Sequence, residues 1–150
     1  DKCNELLCRL LPHVEEDAAG NIAHAVNTIR ALMAKVELRS SLKSAYDAGD
    51  RAALREIAVT MVPAAATAME EFANSFTRQW MAASQPHGLE MIQVRNAGTV
   101  ARIKETGRRI REFLAGEADS IPELERSLPA SAPGNFLNNY SRVAYGSKGF

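Results

Sequence analysis

The chain is poor in cysteine, poor in aromatic residues and without net charge: 150 residues contain two cysteines, 6% aromatics, and 18 basic against 18 acidic side chains. Cys3 and Cys8 stand five positions apart, a spacing that matches neither a zinc pair nor a redox Cys-x-x-Cys. On a helix they face directions about 140° apart. They read as ordinary free thiols, which leans toward a reducing, cytoplasmic setting. The balanced charge removes any strong attraction to nucleic acid or an anionic membrane, so neither is expected as a partner. No apolar run approaches the roughly 20 residues of a membrane span, and no basic-then-apolar signal segment opens the chain. A start at Asp1 without an initiator methionine reads as a piece of a longer protein.

Catalytic and metal-binding spacings are also missing. Of the three histidines, His13, His24 and His87, none stands in a Glu-x-x-His or His-Glu-x-x-His arrangement. A glycine-rich phosphate loop, a nucleophile elbow and a Ser/His/Asp constellation are absent. No catalytic, cofactor-binding or metal-ligating residue is therefore assigned, and no cofactor is expected. His13 and His24 read as structural or exposed.

What the sequence does contain is helical periodicity. Alanine, leucine, arginine and glutamate dominate and β-branched alternation is scarce, which predicts an all-α bundle of four to five helices. An opening helix over about Asn4 to Val14 is interrupted near Pro12. A long helix starts at Asp17 or Asn21, carries Ile22, Val26, Ile29, Met33 and Val36 as its apolar stripe, and stops at Gly49. Asp50 is placed to cap the next helix, whose buried side holds Leu54, Ile57, Ala58 and Met61. Pro63 disfavours helical geometry at Val62, predicting a break or kink, after which a helix presents Met69, Phe72, Ala73, Phe76 and Trp80 and ends near Ala83. Trp80 and its neighbours read as core rather than as a sugar-stacking platform.

Leu89 to Ala115 is the best-determined helix, with Gly116 as its stop. Leu89, Ile92, Thr99, Val100, Ile103, Gly107, Ile110 and Leu114 fall in one stripe about 100° wide. Met91, Val94, Gly98 and Ala101 form a second, small or apolar face away from the first. A compact bundle covers one face only, so this one is a candidate interface for a missing domain or second subunit. The basic residues Arg95, Arg102, Lys104, Arg108, Arg109 and Arg111 flank the first stripe on both sides, as side chains snorkelling beside a buried seam do.

Ser120-Ile121-Pro122-Glu123 reads as a capping box for a short helix to about Leu128. Residues 1–128 are thus expected to form one helical domain. Residues 129–150 are rich in Pro, Gly, Ser and Asn yet keep Phe136, Leu137, Tyr140, Val143, Tyr145 and Phe150, and read as an irregular tail, docked or disordered.

Arg78-Gln79-Trp80-Met81, the turn Gln85-Pro86-His87-Gly88-Leu89-Glu90, Arg95-Asn96-Ala97-Gly98, Phe113-Leu114-Ala115-Gly116 and Ile121-Pro122-Glu123-Leu124-Glu125 together form a recognisable series. Over roughly residues 40 to 127 the chain resembles the helical C-terminal domain of family 20 glycoside hydrolases, the β-N-acetylhexosaminidases. Ser84-Gln85 stands where that family has Asn-Lys, and Asn96-Ala97-Gly98 interrupts its paired glycines. The resemblance implies a non-catalytic module that packs on the catalytic barrel of a retaining exo-β-N-acetylhexosaminidase and supports a homodimer. The parent's substrates would be terminal β-linked N-acetylglucosamine or N-acetylgalactosamine. Such enzymes use an adjacent Asp-Glu pair at a barrel strand end, and no Asp-Glu step occurs in this chain. Trp80, His87 and Arg95, lying within the series, are candidates for a substrate-side or interface role. The competing reading is a free-standing protein-interaction bundle.

Overall fold

A computed structural model of the chain describes residues 2–15, 17 and 20–125. The segment 129–150, expected as an irregular tail, lies outside the described residues. Among those described there is no strand, and the fold is an all-α bundle. Its elements are α1 (Lys2–Leu10), a 3₁₀ turn (Leu11–His13), α2 (Asn21–Asp47), α3 (Arg51–Glu56), a π-helical stretch (Ile57–Met61), α4 (Val62–Ala83), α5 (Leu89–Ala115) and α6 (Pro122–Glu125). α4 lies between α2 and α5 and touches both along much of its length.

The helix boundaries follow local chemistry. At the end of α2, Gly49 adopts φ 64°, and its N–H and that of Asp50 bond back to Tyr46 O and Ala45 O at 3.0 and 2.9 Å. That left-handed turn closes the carbonyls a helix end leaves open. Asp50 then caps α3, its carboxylate accepting from the N–H groups of Ala52 and Ala53 at 3.0 and 2.9 Å. The same closure recurs after α5, where Gly116 at φ 78° and Glu117 bond to Phe113 O and Glu112 O. α2 starts at Asn21, one of the two expected positions: Gly20 is the N-cap at φ 72°, and Asp17 reaches in to accept from Ile22 N–H at 2.5 Å.

Pro63 does not break the chain. Val62 is helical, with φ −63° and ψ −50°, and its N–H bonds to Ile57 O five residues back. A wider turn of this kind relieves the clash a proline ring otherwise makes with the preceding turn. The expected break is therefore a π-helical insertion inside one rod running Arg51–Ala83, 33 residues long. This rod reaches a mean hydropathy of 1.2 over its most apolar 18 residues, a length and apolarity absent from the sequence expectation. Its apolar positions, Leu54, Ile57, Ala58, Val62, Ala65, Ala66 and Met69, are buried in the bundle core.

The core is built from Ala31, Leu38, Leu42 and Ala45 of α2, those rod residues, Ile103 and Ile110 of α5, Ile121 just before α6 and Leu124 within it. Leu38, Leu42, Leu54, Ile103 and Ile110 are fully enclosed. Each such side chain contributes roughly 1.5–3 kcal/mol over its exposed state. The stripe expected on α2 is partly wrong: Val26 is buried, but Val36 is 67% exposed. α2 keeps one face on the rod along its length, from His24 beside Phe72 to Ala31, Leu38 and Leu42, while Val26 is covered on another side by α1 and the 3₁₀ turn and Val36 on that other side stays exposed. The α5 stripe matches expectation, with Leu89, Ile103, Gly107 and Ile110 buried. Gly107 is required by closeness, since a Cβ there would lie 3.0 Å from Val62 Cγ1.

The short C-terminal helix is anchored by tertiary bonds rather than by the expected Ser120 box. Tyr46 Oη donates to Glu125 at 2.8 Å and accepts from Ile121 N–H at 3.1 Å, and the Glu123 carboxylate pairs with Arg109 at 2.8 Å. Residues 126–128 of that expected helix lie outside the described residues.

Candidate functional site

Antiparallel pairing of α4 and α5 places two kinds of surface at one end of the bundle. The first is an aromatic row on the α2 side of α4. His24 of α2 stacks on Phe72 with ring centres 5.6 Å apart and meets Phe76 edge-on at 5.8 Å; Phe76 is followed by Trp80 at 5.9 Å. The four-residue step from Phe72 to Phe76 to Trp80 puts all three on one face of α4. Trp80 ends the row half-buried, outside the main core, and its indole N–H donates to Gln85 O at 2.7 Å. It therefore fastens the loop between α4 and α5. Gln79 beside it donates to Asn21 Oδ1 at 2.6 Å, tying the end of α4 to the start of α2.

His24 has a defined hydrogen-bonding state. Ser75, 3% exposed, places its Oγ 2.9 Å from His24 Nδ1 and 2.9 Å from Phe72 O. A carbonyl can only accept, so the single hydroxyl proton of Ser75 goes to Phe72 O and His24 must donate from Nδ1. Burial pushes the imidazole pKa below its ordinary value.

The second surface is a groove of about 560 Å³ between α4 and α5, walled by Glu70, Asn74 and Thr77 on one side and Gln93, Ala97 and Ala101 on the other. Lys104 crosses it to Glu70 at 2.8 Å and closes one end. Toward the other end stand three exposed apolar side chains, Met81 at 50%, Met91 at 58% and Val94 at 68%. Gly98 is half-exposed and Ala101 exposed, so the second face of α5 expected from the sequence exists as one open strip. Among the described residues nothing covers it.

His87 and Arg95 are both exposed. No hydrogen bond or ion pair joins Trp80, His87 and Arg95; they share the loop end of the α4–α5 pair without forming a pocket. Three of the basic side chains of α5 are engaged locally, Lys104 with Glu70, Arg108 with Glu105 and Glu112, and Arg109 with Glu123. The hydrogen bond from Arg108 holds the Glu105 carboxyl down to about 2 and raises the guanidinium's own pKa. Among the described residues no group of three or more His, Cys, Asp or Glu side chains converges as a metal site would require.

Sequence spacing could not find the His24–Ser75 bond or the Tyr46 anchor, since the partners lie 51 and 75 to 79 positions apart. The groove is equally non-local.

Helices joined by tight caps, an aromatic seam along α4 and an open small-residue strip on α5 define an all-α bundle. The chain belongs to the family described as the Glycoside Hydrolase 20C C-terminal domain, which residues 13–135 match. No curated protein and no solved structure matches it.

Proposed function

We propose that the chain is the non-catalytic C-terminal helical module of a retaining exo-β-N-acetylhexosaminidase, packing on the catalytic barrel and supporting formation of the enzyme's dimer. The observation that carries this reading is the family match over residues 13–135. A C-terminal domain of this family stands beside a glycoside hydrolase catalytic domain, whose substrates here would be terminal β-linked N-acetylglucosamine or N-acetylgalactosamine. The barrel-facing surface in this reading is the loop end of the α4–α5 pair, where Trp80 fixes the loop and His87 and Arg95 are exposed. The chemistry itself stays with the barrel: two carboxylates held in one cleft are what sugar hydrolysis asks for. The module needs no cofactor.

The test uses the full-length parent enzyme, the 150-residue chain alone, and a parent carrying His87→Ala and Arg95→Ala. The parent should release chromophore from a nitrophenyl N-acetylglucosaminide and sediment as a dimer, while the chain alone releases none. The double variant should shift thermal unfolding of the barrel or weaken the dimer. Turnover by the isolated chain that survives repurification and disappears on mutating one of its own residues would overturn the reading.

A further inference from the structure

Arg102, Glu105, Thr106 and Arg109 of α5 follow one another at helical spacing, so their side chains form one polar patch on one face of the helix. Leu42 of α2 and Ile121, Glu123 and Leu124 from the α6 segment lie over that patch, and between the two layers is a cavity of about 20 Å³. Leu42 is 1% exposed, Ile121 4% and Leu124 8%, which makes the cover apolar and buried.

Two donors beneath this cover have no acceptor among the described residues. They are Arg102 Nε and Arg109 Nε, both buried. Glu105 Oε1 stands 3.6 Å from Arg109 Nε, beyond hydrogen-bond length, and a polar gap of that size is where a water bridges. Buried donors in folded proteins are almost always satisfied, so acceptors belong here. The patch also offers lone pairs. Thr106 gives its hydroxyl proton to Arg102 O at 3.0 Å, which leaves its oxygen free to accept, and the Glu105 carboxylate can accept more than the two bonds it receives from Arg108.

Size and charge select the ligand. The volume exceeds the roughly 10–15 Å³ that one water needs and leaves no room for a phosphate or sulfate. Around it the positive charges of Arg102 and Arg109 are balanced by Glu105 and Glu123. An anion would face two carboxylates and a cation two guanidinium groups, whereas a neutral molecule with two protons and two lone pairs matches the two donors and two acceptors. We propose that this cavity is the binding site of one structural water, which accepts from Arg102 Nε and Arg109 Nε and donates to Glu105 Oε1 and Thr106 Oγ1. With that water in place, the α6 segment covers the polar patch of α5 without leaving a donor unpaired. The site uses residues of this chain alone and stands whatever the parent enzyme cleaves.

A high-resolution crystal structure of the full 150-residue chain, from crystals grown without halide, tests the site. One density peak is expected in the cavity, within about 3.2 Å of both Nε atoms. A crystal soaked in sodium bromide should give no anomalous signal there. In solution the Nε–H signals of Arg102 and Arg109 in the ¹⁵N spectrum should keep their positions as sodium chloride replaces sodium sulfate at constant ionic strength. No peak in the cavity would overturn the proposal, since the two donors would then be satisfied from within the chain. Bromide bound between the arginines, or signals that move with chloride, would overturn it as well and make the cavity a halide site.

Discussion

His24 Nδ1 lies 2.9 Å from Ser75 Oγ, and the serine hydroxyl is itself committed to Phe72 O. One hydroxyl thereby joins the start of α2 to the middle of α4 beneath the aromatic row. Ser75→Ala removes an acceptor that His24 needs and a donor that Phe72 O receives. The expected loss is about 1–3 kcal/mol, read as a shift of the urea unfolding midpoint at pH 8. A change below about 0.5 kcal/mol, the size of an ordinary surface substitution, would show the bond to be incidental.

The same histidine gives the domain a pH dependence of known sign. Its folded pKa lies below the ordinary 6.5, so between those two values the unfolded chain binds the proton and the folded one does not. The His24 contribution is complete above 6.5 and is lost as pH falls from there toward the folded pKa. Glu105, held near 2 against an ordinary 4.5, adds a second loss between about pH 4.5 and 2. Unfolding midpoints measured from pH 8 to pH 4 should decline on acidification, and His24→Gln should flatten the part that begins below 6.5. An undiminished slope in that variant would assign the effect to another group.

Among the described glycines, Gly107 is the one at which an added Cβ would press on a neighbouring helix, at Val62. A methyl group at 107 meets Val62 Cγ1 at 3.0 Å. Gly107→Ala gains about 1 kcal/mol of helix propensity but overpacks by about 1–3 kcal/mol, so the net effect is destabilising. Val62→Ala should relieve it, leaving the double variant more stable than the sum of the single changes indicates. Strict additivity in that cycle would mean the two helices can move apart without cost.

On α2 the two apolar stripes separate cleanly by mutation. Leu38→Ala, at a position with no exposed surface, should cost about 2–5 kcal/mol. Val36→Ala, at 67% exposure, should stay within about 0.5 kcal/mol. A reversal of this order in denaturant titrations would place the core on the wrong side of the helix.

Trp80 is the test of the hairpin loop. Trp80→Phe keeps a ring beside Phe76 but loses the N–H that Gln85 O accepts. Amide exchange in residues 84–88 should accelerate while the centre of α4 stays protected. Equal exchange in both proteins would mean that the ring's packing, not its N–H, fixes the loop.

These contrasts show what was readable from the sequence. Caps and stops were, because Asp50, Gly49 and Gly116 act on neighbours two to five positions away. The α5 stripe was as well, since its one partner surface lies along its whole length. α2 was half legible: Val36 and Leu38 both sit at helical spacing, and only the position of the rod, which covers the His24, Leu38 and Leu42 face, decides which is buried. At Pro63 the expected disturbance takes the form of a π-helical turn rather than a break, because a proline's local preference can be met by widening the turn before it. The candidate surface was legible as a second face on α5, from Met91 to Ala101, but its groove needed α4 beside it.

The π-helical turn before Pro63 has a mechanical consequence. Because the turn widens without breaking, Arg51–Ala83 is one strut of 33 residues, spanning roughly 50 Å at 1.5 Å per residue. The Asp50 cap and the Trp80 clasp sit at its opposite tips. Two hinged helices would let those tips swing independently. The two tips belong to one continuous hydrogen-bonded rod, so a load on the loop beside Trp80 passes to the turn at Gly49 through the π-helical turn, the point at which helices bend most readily.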